Sequence, residues 1–279
     1  MARIAIIYMV LMTQVPFVIT LVLSTWDWNL LSPGGRQFVG LANYAEVLRM
    51  SGTGTAMWNT ARMTVGVVAL MLVFGTVLAL LLNRRFLGRA VVRTMIFCAF
   101  LIPPTASALI WKTTMLDPKN GLLGFLLAPF GGAGIDWINT WPMGTVVAVT
   151  AWQWTPFAML IILSGLQNVD RSSREAAMLD GAGPVRIFGS LTLPHLRPHL
   201  EVSALLGAIF VSQLLDPIFM ITQGGLGNQT TTAAYRLHGL AFRSFDIGLA
   251  SAFGVVQVFV TIVVTLLLLR FAARSLRDG

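Results

Sequence analysis

Glu175-Ala176-Ala177-Met178-Leu179-Asp180-Gly181, followed after nine residues by Leu191-Thr192-Leu193-Pro194, forms a polar interval between two long apolar runs, 143–169 and 202–222. Ala176 to Leu179 are good helix formers, Ser172 with Glu175 three residues on fits a capping box, and Gly181 and Gly183 permit a turn. Pro184 suits the first position of a second helix, with Val185, Ile187, Phe188 and Leu191 as its apolar face and Leu193-Pro194 as its expected end. The interval reads as two short helices with a turn between them. Such a rigid knob with a small-residue surface would fit a groove on a partner.

Outward from this interval the chain is strongly apolar. Of 279 residues 56% are hydrophobic and 11% charged, and the mean hydropathy is +0.78, which excludes a soluble domain and indicates a polytopic, all-α membrane protein. A bilayer core about 30 Å thick needs roughly 20 apolar residues per helix. Six windows meet or nearly meet this: 4–24, 63–82, 94–111, 143–169, 202–222 and 247–269, and only the fifth contains an ionisable acid or base, Asp216. Six transmembrane helices in one domain spanning 1–279 is the expectation, since no internal repeat or linker divides the chain. The third window contains Pro103-Pro104, which should break or kink it. The first run is longer than a signal peptide and leads into Trp26 and Trp28, an interfacial aromatic anchor. The segments 25–62 and 112–142 are long enough to carry short surface helices.

Orientation follows from the basic residues. With the N-terminus inside, cytoplasmic segments hold Arg3, Arg84, Arg85, Arg89, Arg93, Arg171, Arg174, Arg186, Arg197, Arg270, Arg274 and Arg277, twelve of the 19 lysines and arginines. Both termini and the polar interval are then cytoplasmic. The net charge of +8 reflects this topology and contact with anionic membrane lipids, and no basic, aromatic-interleaved soluble domain exists to bind nucleic acid. Cys98 is alone and can form no internal disulfide. His195 and His199 are four apart, but Pro194 and Pro198 are expected to disrupt their helix and no suitably spaced acid completes a zinc site, so no metal site is expected.

With its flanking spans, the polar interval resembles the cytoplasmic coupling loop of ATP-binding-cassette importer permeases, whose pattern is E-A-A, three residues, G, nine residues, I-x-L-P. Only Leu191 departs from it. Phe38-Val39-Gly40-Leu41-Ala42-Asn43-Tyr44, Asn59-Thr60, Leu80-Leu81-Leu82-Asn83-Arg84-Arg85, Asn120-Gly121, Thr222-Gln223-Gly224-Gly225 and Ala250-Ser251-Ala252 are similar to the carbohydrate and polyol branch of that family. The stretches 105–112 and 151–158 look most like sorbitol/mannitol-type permeases. Two positions depart from the branch: Leu226 stands where proline is usual, and Leu215 precedes Asp216 where an aromatic is frequent.

The resemblance implies a type I importer permease fold, in which Glu175, Ala176, Ala177, Asp180, Gly181, Leu193 and Pro194 couple the chain to an ATPase. It implies a bacterial cell-membrane location and a transport subunit for a sugar or polyol rather than an enzyme. The expected partners are a second, unlike permease, two ATPase subunits and an extracytoplasmic solute-binding protein. No P-loop is present, because the lysines, Lys112 and Lys119, follow Trp111 and Pro118 rather than glycine. No cofactor is expected on this chain; ATP and Mg belong to the partner ATPase subunits.

A neutral sugar needs hydrogen-bonding side chains and flat apolar surface in a desolvated cavity. Thr150, Gln153, Trp154 and Phe157 fall at i, i+3, i+4 and i+7 on one face of the fourth span, and Phe210, Gln213 and Leu214 lie on the fifth. In the related sugar permeases the helices flanking the coupling loop hold the substrate near these positions. The competing reading is that Trp154 and Gln153 only pack helices together. Asp216 lies 15 residues past Glu201, about 22 Å along a continuous helix, and reads as an outer gate. An importer permease for another small solute and an ATP-independent secondary transporter are the alternatives. The charged or ionisable residues that either would use within the spans are not evident.

Overall fold

The computed structural model describes residues 2–277 apart from Pro33, Arg85, Ala133, Val169 and Asp170, with backbone alone at 2–7, 171, 173, 174, 176, 268 and 271–277. The chain is helical almost throughout. Helix α1 (Ala2–Leu23) leads into a two-residue hairpin, β1 (Trp26–Asp27) with β2 (Gln37–Phe38), and then α2 (Ala42–Arg49) and α3 (Thr53–Asn83). Next come α4 (Arg89–Leu101), α5 (Pro104–Ile110), α6 (Leu122–Leu127), α7 (Trp137–Thr140) and α8 (Pro142–Gln167). The last third holds α9 (Arg171–Leu179), α10 (Pro184–Ile187), α11 (Leu193–Val211), α12 (Ala233–Phe242) and α13 (Ile247–Arg277). Wider, π-helical turns occupy Trp111–Met115, Phe188–Thr192 and Ile218–Thr222.

The core is a seam between α3 and α8, the most extensive helix pair in the molecule. Ala56, Asn59, Met63, Val67, Met71, Gly75, Ala79 and Leu82 recur every three or four residues along α3 and are all buried. Close approach depends on small residues. A Cβ on Gly75 would lie 3.0 Å from the Cβ of Ala158 and from the Met159 backbone nitrogen, and one on Gly207 of α11 would meet the Met71 methyl at 2.1 Å. The outward faces carry Val65, Val73, Phe74, Val77 and Leu81, whereas Thr150, Gln153, Thr155 and Ser203 are buried. An apolar outer face, with these polar side chains turned inward among the apolar core, is the arrangement a hydrocarbon solvent selects. The hydroxyls of Thr150 and Thr155 donate to the carbonyls of Val146 and Ala151 in their own helix, which removes the penalty of burying them.

Among the described residues three helices are long and apolar enough to cross a membrane: α3, α8 and Ile247–Leu267 of α13. A fourth crossing results if α4 and the segment Pro104–Met115 count as one broken span, the two halves meeting at 99°. The expected interruption at Pro103-Pro104 is therefore a sharp bend. The apolar stretch Tyr8–Leu23 of α1 is shorter.

Three local expectations are corrected. The second helix of the polar interval does not end at Leu193-Pro194. Helical structure passes from α10 through the wide turn Phe188–Thr192 into α11 and on through Pro194 and Pro198. Proline lacks an N–H and its ring presses on the carbonyl four residues back, and the wide turn before Pro194 relieves that clash. Ser172 is not an N-cap, since α9 already includes Arg171. The fifth apolar window is not one helix: α11 stops at Val211, and Asp216 lies beyond a non-helical stretch, so its height cannot be measured along a continuous helix from Glu201. Pro217 contributes to the break, because it has no N–H to donate to the Gln213 carbonyl, and the chain becomes helical again only at Asp216.

The two ends of the helical array are tied on the side opposite the polar interval. The amides of Ile247 and Gly248 donate to the Trp28 carbonyl, Asn29 bridges Asp246, and Asn43 donates to the carbonyls of Ser24 and Trp26 at 2.9 Å. A Cβ on Gly248 would lie 2.2 Å from the Trp26 carbonyl oxygen, so only glycine fits there.

Candidate functional site

Helices α8 and α11 flank the segment made by α9 and α10. They cross closely near that end, where a Cβ on Gly165 would meet the His199 ring at 2.7 Å. Further along, Trp154 of α8 stacks on Phe210 of α11, with ring centroids 5.7 Å apart and planes inclined by 25°. The same indole meets Phe157 and Phe100 edge-on at 5.7 and 5.5 Å, and Phe100 of α4 stacks on Phe157 at 5.6 Å. Trp154 is 9% exposed and Phe210 is 48% exposed, so the cluster is anchored in the core and open on one side. Stacked and edge-on rings of this kind add roughly 0.5–1.5 kcal/mol per pair beyond their burial.

The sequence stripe on α8 divides in the structure. Trp154 and Phe157 join the rings. Thr150 is fully buried with its hydroxyl committed to Val146, and the Gln153 side chain donates from Nε2 to the Ile102 carbonyl at 2.7 Å. On the fifth segment Phe210 joins the rings and Leu214 packs against the main core, while Gln213, just past the end of α11, donates to the Ile209 carbonyl of that helix. Gln213 instead lines a separate cleft of about 710 Å³ with Phe17, Thr20, His238, Phe242, Gln257 and Thr261, between α1, α11, α12 and α13. Asp216 accepts the Thr105 hydroxyl from the first turn of α5. Sequence reasoning missed Phe100 and the pairing of Asp216 with Thr105. Both sit beside Pro103-Pro104, but which neighbours a bent helix meets is decided by tertiary packing.

The residues expected from the sequence to couple lie on α9, at the turn between α9 and α10, and at the start of α11. Gly181 has φ +78°, its amide donates to Met178 and the Ala182 amide donates to Ala177, a Schellman ending that requires a left-handed residue at this position. A Cβ on Gly181 would meet nothing within 4 Å, so the turn is free of crowding. Glu175 and Asp180 are exposed, and so are Leu179 and Val185, at 89% and 85%. The Ala176 side chain is outside the described residues, Ala177 is half-buried, and Leu193 and Pro194 are exposed inside the continuing helix. A tip with exposed apolar side chains on a locally fixed backbone is suited to docking. His195 and His199 stack with ring centroids 6.4 Å apart.

Residues 71–278 match the family described as "Binding-protein-dependent transport system inner membrane component". The chain is 38% identical over 246 residues, 88% of its length and 79% of the relative's, to a probable ABC transporter permease protein, y4oQ, of Sinorhizobium fredii. It is 34% identical over 220 residues to the trehalose/maltose transport system permease protein MalF of Thermococcus litoralis, covering 76% of this chain and 71% of that one. A bacterial alginate ABC transporter, solved in complex with an alginate pentasaccharide-bound periplasmic protein, superimposes with a TM-score of 0.83 over 98% of this chain and 93% of its own, at 17% identity, and so shares the fold. These matches show the family: the chain belongs to the inner membrane component family of binding-protein-dependent transport systems, as an ABC transporter permease subunit and not an enzyme.

Proposed function

We propose that the chain imports a sugar or polyol, handed over by an extracytoplasmic binding protein, through a path bordered by the Trp154, Phe157, Phe210 and Phe100 rings. The observation that carries this is the Trp154–Phe210 stack, which links the two helices on either side of the Gly181 turn. Flat ring faces suit the C–H faces of a sugar, and the open face of Phe210 offers one. A movement of the turn would tilt both helices and change the space between their rings, which is alternating access in mechanical form. The trehalose/maltose relative supports a carbohydrate ligand. Within that class, 105–112 and 151–158 favour a sorbitol- or mannitol-like polyol.

The reading places six spans in a bacterial inner membrane, with α1 and the interrupted fifth segment as two of them and both termini cytoplasmic. The exposed tip at Leu179 and Val185 docks on one of two ATPase subunits, which bind ATP and Mg, and a second, unlike permease completes the pair. Glu175, Asp180 and Gly181 are the transmitting residues, and Asp216 belongs to the outer gate. Lysine at Glu175 would reverse the charge offered to the ATPase.

Proteoliposomes containing both permeases, the ATPase and the binding protein test the ring cluster, with sorbitol, mannitol, maltose and trehalose as probes. Trp154→Ala is expected to raise the concentration for half-maximal uptake by about ten-fold, the equivalent of about 1.4 kcal/mol of lost stacking and burial. Basal ATP hydrolysis should persist. Unchanged uptake, or only a smaller yield of assembled complex, would show that the rings pack helices and that the substrate contacts lie elsewhere.

A further inference from the structure

The interruption in the third apolar segment is held from two sides. Ile102 leaves the helix at φ −67° and ψ 129°, Pro103 and Pro104 have no N–H to offer the carbonyls of Ala99 and Phe100, and the chain turns through 99°. Backbone groups freed at such a place inside a membrane must be satisfied by neighbours. Gln153 supplies one bond, donating to the Ile102 carbonyl just before the prolines. Asp216 adds a bond between side chains, accepting the Thr105 hydroxyl just after them. Lys112, two turns further on, donates to the Met220 carbonyl at 2.9 Å and joins the wide turn Trp111–Met115 to the wide turn Ile218–Thr222.

These anchors come from the two arms of the coupling segment. Gln153 belongs to α8, which enters it, and Asp216 belongs to the continuation of α11, which leaves it. Gln153 is 4% exposed and its amide is committed to a backbone acceptor. The held segment carries Phe100, two residues before Ile102, and Phe100 is the ring that closes the cluster against Phe157 and Trp154. We infer that Gln153 and the Thr105–Asp216 pair are positioning residues. They fix the bend at Ile102–Thr105, and through it the place of Phe100 in the substrate path, without touching the substrate. The inference deepens the reading of the ring cluster as that path and rests on it for its functional meaning, while the bend itself is measurable without any ligand.

The test uses the complete complex in lipid nanodiscs and follows amide exchange in residues 99–110. Gln153→Ala and Thr105→Val should each speed exchange there by about five-fold, the effect of losing one hydrogen bond. Thr105→Ser keeps the donor and should restore the original rate. Thr105→Val combined with Asp216→Ala should exchange no faster than either change alone, because both remove the same bond. Trp154→Ala, which leaves both anchors in place, should keep exchange in 101–110 at the unmodified rate even where it impairs uptake. Unchanged exchange in Gln153→Ala and Thr105→Val, or equal behaviour of Thr105→Ser and Thr105→Val, would overturn the positioning role. A failed Trp154→Ala uptake experiment would instead overturn the ring-path reading and leave these rates standing.

Discussion

The chain interrupts its helices in two contrasting ways. At 180–183 the turn is local: one left-handed glycine and two backbone hydrogen bonds within six residues stop α9, at the surface. At 102–104 two prolines stop α4, but what fixes the resulting direction comes from Gln153 and Asp216, 51 and 111 residues away from their partners. The first turn is rigid because of its own sequence. The second is rigid because other helices hold it, and so it can respond when they move.

The largest effect is expected from removing both causes of the second interruption. Pro103→Ala and Pro104→Ala return the two missing donors, and adding Gln153→Ala and Thr105→Val releases the anchors. Spin labels at 92 and 109 lie about 26 Å apart in a straight helix and closer in the bent one. The fourfold variant should populate the 26 Å distance, while the two alanines alone should leave most molecules bent, held by Gln153 and Asp216. A straight distance from the prolines' removal alone would show that the anchors are passive.

Next in size is the first turn. Gly181→Val forces a branched residue into the left-handed region, at a cost of about 1–2 kcal/mol. Stimulation of ATP hydrolysis by the binding protein should be lost, with the protein still inserted in the membrane. Gly181→Asn tolerates that backbone and meets nothing within 4 Å, so it should retain most of the stimulation. Equal loss in both variants would mean that the surface of Gly181, and not its φ, is what the partner reads.

The proposed orientation puts the first turn on the opposite side of the membrane from the loop that carries Asn228. Cysteines at Ser173 and Asn228 on a Cys98-free background, treated in intact cells with an impermeant thiol reagent, should label at 228 and not at 173. The reverse pattern would invert the orientation drawn from the basic residues.

This contrast also explains how much was legible in the sequence. The apolar helices α3, α8 and α13, the Gly181 turn and the break at Pro103-Pro104 depend on composition or on a few adjacent residues, and each is where the sequence places it, whereas the fifth apolar run is not one helix. Gln153 fell on the same helical face as Trp154, but period alone cannot distinguish a side chain that lines a path from one that bonds a neighbouring carbonyl. Leu193-Pro194 read as a helix end because proline usually is one, and a wide turn upstream was enough to let the helix continue. Gln213 shares a segment with Phe210, yet the end of α11 at Val211 places it on another cleft. Phe100 carried no signal of its own, since its partners are set by the 99° bend.

The smallest expected effect concerns a third local stop. The Asp136 carboxylate accepts the Asn139 amide at 3.0 Å and its side-chain nitrogen at 2.7 Å, and these bonds hold its carboxyl below the ordinary carboxylate value. A lowered pKa in the folded state adds stability above the ordinary value and loses it as pH falls through the lowered one. Asp136→Ala should speed amide exchange in 137–141 by about five-fold, as for a cap near 1 kcal/mol, with uptake unchanged. A similar rise should occur in the unmodified protein at strongly acid pH. A change in uptake would mean that this short helix is tied to the bend after all.

The tie between the Trp28 carbonyl and the amides of Ile247 and Gly248 has a consequence in time. Its halves are 219 residues apart by subtraction, so at about 5–20 residues per second the ribosome needs on the order of 10–40 s between them. During that interval α1 lacks α13 to fasten it. A nascent chain arrested before residue 247 should therefore leave α1 more open to protease than the finished chain, and equal protection would show that α1 is secured earlier by other means. Gly248, the residue on which the fastening closes, is thus a clasp that can shut only once the ribosome has passed it.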